Sequence, residues 1–170
     1  MAQESILTKV PENANLLQLT KFIFTIPDFP HPVYFCQSVN IPGLQTSTPI
    51  QPTPFKGAYR HGDTLVVNPL VITFYVDEDL YSWEQAYNWL RSVAPPHDFG
   101  EYAKNQGKAI YKDCILTTLT NSNLENVRIK FKDCHPMSLS GLTFDTKVNA
   151  NSIPICNFVL RYDSWIIERL

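Results

Sequence analysis

The chain has 170 residues, 44% of them hydrophobic and 18% charged, and its 14 Lys and Arg against 16 Asp and Glu leave a net charge of −2. This length suits one domain with a full core, and the composition excludes a disordered chain. It also excludes a cation-rich nucleic-acid binder, because gripping phosphates takes clustered Lys and Arg that displace counterions.

Residues 1–20 are polar, with Pro11 and the Asn13-Ala14-Asn15 cluster, and they read as an N-terminal arm without the layout of a secretion signal. Phe22, Phe24 and Ile26 alternate with Ile23 and Thr25, which predicts a first strand ended by Pro27 and the turn-prone Asp28-Phe29-Pro30-His31-Pro32. A second strand is expected over Val33 to Ile41. Pro42-Gly43 then opens a proline-rich connection, residues 42–64, with few residues able to continue a ladder. Loops this long are usually functional, so this one is expected to pack against something.

Leu70, Ile72, Phe74 and Val76 fall on one side of a period-two pattern, which predicts a buried strand. Trp83, Ala86, Tyr87, Leu90 and Val93 then repeat at helical spacing and predict the one substantial helix, with its apolar face on those residues. Asp77, Glu78 and Asp79 suit its positive end, Ser82 and Gln85 fit a capping box, and Pro95-Pro96 ends it. Ile110 to Thr120 and Val127 to Asp133 predict a hairpin around residues 121–126. Its second strand buries Val127, Ile129 and Phe131 and shows Arg128, Lys130 and Lys132 to water. One last strand is expected over Ile155 to Ile167.

No catalytic grouping emerges. The three consecutive carboxylates are better explained by capping than by metal binding, and His31, His61, His97 and His135 form no HExxH-like pair. Cys134 and His135 are adjacent, and neighbours on a strand point to opposite faces, so they do not converge as nucleophile and base. Cys36, Cys114, Cys134 and Cys156 sit in strand-like apolar segments as structural thiols. No enzyme activity, metal or cofactor is expected. No uninterrupted apolar stretch approaches the roughly 20 residues that span a bilayer, and no membrane partner is expected.

Several stretches together resemble the tail tube proteins of contractile-tailed, T-even-like bacteriophages and their baseplate tube-initiating relatives. They are Ile41-Pro42-Gly43 before a long loop, Gly62-Asp63 before a strand ending in Val76-Asp77-Glu78-Asp79, and the helix with Trp83 and Trp89. The run from Phe131 to Asp145 and the final Phe158 to Trp165 complete the likeness. The resemblance implies a mainly β fold, an antiparallel sandwich or open barrel with one flanking helix, in a single tail-tube-like domain over residues 1–170. It further implies a virion protein assembled in the host cytoplasm. Six copies would form a ring, and rings would stack into an inner tube inside a sheath and on a baseplate, with DNA passing through the lumen unbound. Subunit-interface candidates are Ile41, Pro42, Gly43, Leu44, Pro54, Phe55, Tyr59, Arg60 and His61. Long strands must pair or blunt their edges, and ring closure removes edges altogether. Two alternatives stand beside this: a baseplate initiator present as a single ring, and a monomeric β-sandwich that binds carbohydrate on Trp83, Trp89 and Trp165.

Overall fold

A computed structural model describes residues 15–94, 110–147, 149 and 152–170. The elements run β1 (Phe22–Thr25), α1 (Pro30–Tyr34), β2 (Cys36–Val39), β3 (Leu44–Thr46), β4 (Ile50–Gln51), β5 (Ala58–Tyr59), β6 (Leu65–Val67), β7 (Leu70–Tyr75), α2 (Tyr81–Val93), β8 (Lys112–Leu119), β9 (Glu125–Leu139), β10 (Ile155–Arg161) and β11 (Ser164–Arg169). The fold is mainly β and antiparallel, as expected from the sequence. Most of the predicted N-terminal arm, Pro95-Pro96 and His97 lie outside the described residues.

Two four-stranded layers share one strand. The first half of β9 lies between β8 and β11, with β1 beyond β8. Its second half pairs β10, which continues to β7 and β2. The inward faces of both layers and helix α2 contribute to one apolar cluster, with Phe74, Phe131, Phe158, Leu70 and Leu160 fully buried. Trp89 links the layers to the helix: its ring lies 4.9 Å from Phe29 and 5.7 Å from Phe158, and its Nε1 donates to the Ile110 carbonyl at 2.9 Å. Burying a Trp is favourable when its one polar hydrogen finds an acceptor.

Several sequence expectations need correction. The predicted second strand begins late, because Val33 and Tyr34 belong to α1. Prolines are at home in a first helical turn, where their missing N–H costs nothing, and the short turn delivers Phe29 to Trp89. The strand predicted to end at Asp133 runs on to Leu139. Asp133 takes a positive φ of 54°, and the ladder with β8 shifts register between Lys112 and Cys114. The bend there lets the same strand change partners, and a local irregularity of this kind is invisible to a period-two pattern. The single last strand is two, broken at Tyr162-Asp163, so that β10 pairs β7 and β9 while β11 returns along the first half of β9.

In helix α2 the capping expected of the carboxylates is borne out at Asp77, whereas the Ser82–Gln85 box and part of the expected buried face are not. Ser82, Ala86 and Trp89 are buried, whereas Tyr87 is exposed. The Ser82–Gln85 capping box does not form. Asp77 does that work from upstream, accepting the amide hydrogens of Tyr81 at 3.2 Å and Ser82 at 2.8 Å and the Ser82 hydroxyl as well. The cationic face of β9 is partly neutralised, since Arg128 pairs with Glu125 and Lys130 with Glu168, both at 2.8 Å. All four cysteines are free thiols, three buried and Cys36 half-buried.

Candidate subunit interface

The connection from Pro42 to Thr64 is no plain loop. It rises as a two-storey β ribbon, which corrects the expectation that its residues would not form ladders. Leu44, Gln45 and Thr46 pair Val67, Val66 and Leu65, and above them Ile50 and Gln51 pair Tyr59 and Ala58. Ser47 N donates to the Thr64 carbonyl at 3.1 Å and Arg60 N to the Pro49 carbonyl at 3.0 Å, so the ladder bonding extends past the short strands. Arg60 Nε reaches Gln51 Oε1 at 3.1 Å. At the tip, the Thr53 hydroxyl accepts the Lys56 amide at 3.2 Å and donates to the Lys56 carbonyl.

Two glycines set the spacing. A Cβ on Gly62 would overlap Ser47 Oγ and the Ser47 carbonyl oxygen, and one on Gly57 would stand 2.9 Å from Ile50 Cγ2. At Gly62 the approach is by backbone and admits no side chain, whereas at Gly57 it is the Ile50 side chain that would have to give way. The root is clamped. Asn40 donates its amide to the Val71 carbonyl and accepts the Val71 amide on Oδ1, Arg161 Nη1 donates to the Val67 carbonyl at 2.9 Å, and the Tyr162 hydroxyl donates to Asn68 O at 3.0 Å. Burial raises the pKa of Tyr162, in keeping with its place as the protonated donor of that bond.

The ribbon carries bare apolar side chains on this clamped base. Phe55 is fully exposed, Tyr59 is 73% exposed, and Leu44 and Ile41 are about half exposed. Gly43, Pro54, Arg60 and His61 are exposed as well, and Pro42 is the one member of the predicted set that is buried within its own chain. Sequence reasoning missed Ile50, Leu65 and Val66, which are equally bare. Their alternation spans only two or three residues, too short a signal to separate from a loop.

Beside the root, a groove of about 420 Å³ opens between β1 and β2, the outer strands of the two layers. Leu17, Leu19, Phe22, Val39, Ile41 and Leu116 line it. Neither strand has a partner on its groove side among the described residues. The ribbon thus sets exposed apolar groups beside open strand edges, the two features that soluble chains ordinarily cover or blunt. Among the described residues no group of three or more His, Cys, Asp or Glu is placed to hold a metal.

No family model matches the chain. It is 28% identical over 162 residues to the tail tube terminator protein of Enterobacteria phage T4, an alignment that covers 91% of this chain and 90% of that protein. The resemblance to the tail tube family is borne out. The fold is shared with the tube-terminating cap of the anti-feeding prophage, at a TM-score of 0.66 and 15% identity over 98% of this chain and 99% of that one. It is shared also with the sheath/tube terminator of the PVC extracellular contractile injection system, at 0.62 and 16% over 91% and 97%. The tail-tube fold thus accounts for both sheets and the flanking helix.

Proposed function

We propose that the chain is a structural protein of the inner tube of a contractile tail. In this reading six copies close into a ring at the terminating end of the tube, and DNA leaves through the ring. The observation that carries the reading is the alignment with the phage T4 tail tube terminator over nearly the whole of both chains. The work is mechanical and not enzymatic, and the sheath is the expected neighbour at that end, whereas contact with the baseplate would belong to the initiator reading.

The strand order supports closure. In the layer β2-β7-β10-β9 every neighbouring pair is antiparallel, so four strands alternate in direction. An even alternating set placed head to tail meets the next copy with opposite direction at the joint, and a heterologous contact repeated by a rotation that closes gives a ring. The outward face of this layer carries Val71, Thr73, Asn157, Val159 and Ser138, with Thr73 Oγ1 bonded to Asn157 Oδ1 at 2.9 Å. Arg161 is its one fixed cation, tied to the Val67 carbonyl at the ribbon root. A wall of this chemistry neither grips nor strongly repels a polyanion, and we place it toward the channel.

The ribbon then serves as the arm that reaches a neighbouring copy, through Ile41, Leu44, Phe55, Tyr59 and the polar Arg60 and His61. Electron microscopy of the purified protein tests the whole reading: rings are expected, and a monomer at all concentrations overturns it. Leu44→Glu with Phe55→Glu should leave a folded subunit that forms no ring, and normal rings from that variant would defeat the arm assignment. Six copies per particle separate an end ring from a repeated tube protein, and the end of the tube that they occupy separates a terminator from a baseplate initiator.

A further inference from the structure

Helix α2 turns Ser82, Ala86 and Trp89 inward and leaves Tyr81, Glu84, Tyr87 and Asn88 outward. Its exposed rings are already organised. Tyr87 lies flat on Trp83, with centroids 5.3 Å apart and planes 10° apart, and Tyr81 lies over His31 of α1 at 5.7 Å and 32°. Tyr81 is 52% exposed and Tyr34, one turn beyond His31 on α1, is 83% exposed. From Asp77 to Leu90 the chain holds Asp77, Glu78, Asp79 and Glu84 and neither Lys nor Arg. Asp77 is occupied by the helix amides, but Glu78, Asp79 and Glu84 are exposed and enter no ion pair among the described residues.

We propose that this face docks an arginine-rich segment of another protein. These carboxylates, which enter no ion pair among the described residues, select a cationic partner by charge complementarity. The flat, outward rings select arginine over lysine, because a guanidinium stacks on an aromatic face while its edge forks onto a carboxylate, and an ammonium does neither as well. The Trp83–Tyr87 stack holds one such ring in place before any partner arrives, so little side-chain freedom remains to be lost on docking. The face lies on a different element from the ribbon, and the inference holds for a free subunit or a ring.

Fluorescein-labelled nona-arginine and nona-lysine, titrated with the purified chain and followed by anisotropy, test this. Nona-arginine should bind roughly tenfold more tightly than nona-lysine, a difference of about 1.4 kcal/mol. Tyr81→Ala with Tyr87→Ala should abolish that preference, Tyr81→Phe with Tyr87→Phe should retain it, and Glu78→Gln, Asp79→Asn and Glu84→Gln together should weaken both peptides. Circular dichroism establishes that each variant is folded. Equal affinity for the two peptides, indifference to either set of substitutions, or no binding by the natural chain overturns the proposal. So does sugar binding that is lost with the tyrosines, which would make the rings a carbohydrate platform.

Discussion

Asp77 caps a helix to which it does not belong: its carboxylate takes the amide hydrogens of Tyr81 and Ser82, while the residue in the cap position, Leu80, has a left-handed φ of 59° and no side-chain oxygen to offer. Desolvation pushes the Asp77 pKa up, but the Ser82 hydroxyl and the Ser82 and Tyr81 amides outweigh it and hold the carboxyl below its ordinary value of 3.8. A depressed carboxylate stabilises the fold at pH values above its unfolded pKa, and that contribution is lost as pH falls through the folded one. Asp77→Ala should therefore cost about 1 kcal/mol at neutral pH, or roughly 2–4 °C in Tm. The difference between variant and natural chain should shrink in melts run well below pH 3.8. An unchanged Tm at pH 7 would show that water satisfies those amides equally well.

Gly62 sets the ribbon's spacing against Ser47. In Gly62→Ala the serine hydroxyl can rotate away, but the Ser47 carbonyl, which the new Cβ would overlap, is backbone and must move with its strand. The ladder bond from Ser47 N to Thr64 O should break, and the ribbon should become sensitive to protease while the core does not. Limited proteolysis with mapped cut sites checks this: cleavage within residues 44–67 at an unchanged global Tm is the expected pattern, and a ribbon as resistant as the natural one would disprove the spacing role.

The thiols should be inert in the folded chain. Burial raises the Cys36 pKa to about 11 against a backbone hydrogen bond to Ser38, and Cys114 is pushed well above 9.0 by its hydrogen bond with Cys134 and by burial. Because these groups are held neutral, their contribution to stability is present below pH 9.0 and is lost as pH rises through the folded values. A thiol-reactive chromophore at pH 8 should label none of the four rapidly, and all four in denaturant. Fast labelling of Cys114 or Cys134 without unfolding would contradict the packing described.

The strong sequence signals were those with many repeats of one period. Leu70 to Val76 was legible because Leu70, Ile72 and Phe74 are buried in strict alternation, and the β8–β9 hairpin because Cys114 and Leu116 on one strand and Ile129 and Phe131 on the other repeat the same period across a turn-rich break. Asp133, Tyr162 and Asp163 were not, since a strand that bends and changes partner keeps its apolar residues inward on both sides of the bend. Capping by the carboxylates ahead of the helix was legible, and Asp77 performs it; the Ser82–Gln85 box does not form, and its spacing matches a local motif whatever the backbone upstream does. Ile41, Leu44, Phe55 and Tyr59 were legible as contact candidates only through the length of their loop and the family likeness. Their place on a paired ribbon came from the pairing of Leu44 with Val67 and Ile50 with Tyr59 across intervals of about twenty and ten residues, which composition does not reveal.

Strand β9 has one more consequence. Because a single uninterrupted length of backbone is stitched into both layers, shearing one layer over the other would tear its ladders on both sides of Asp133. Among the described residues, the two layers therefore cannot slide past each other without breaking ladder bonds. In an assembly of such copies, give is expected first at the joints between them.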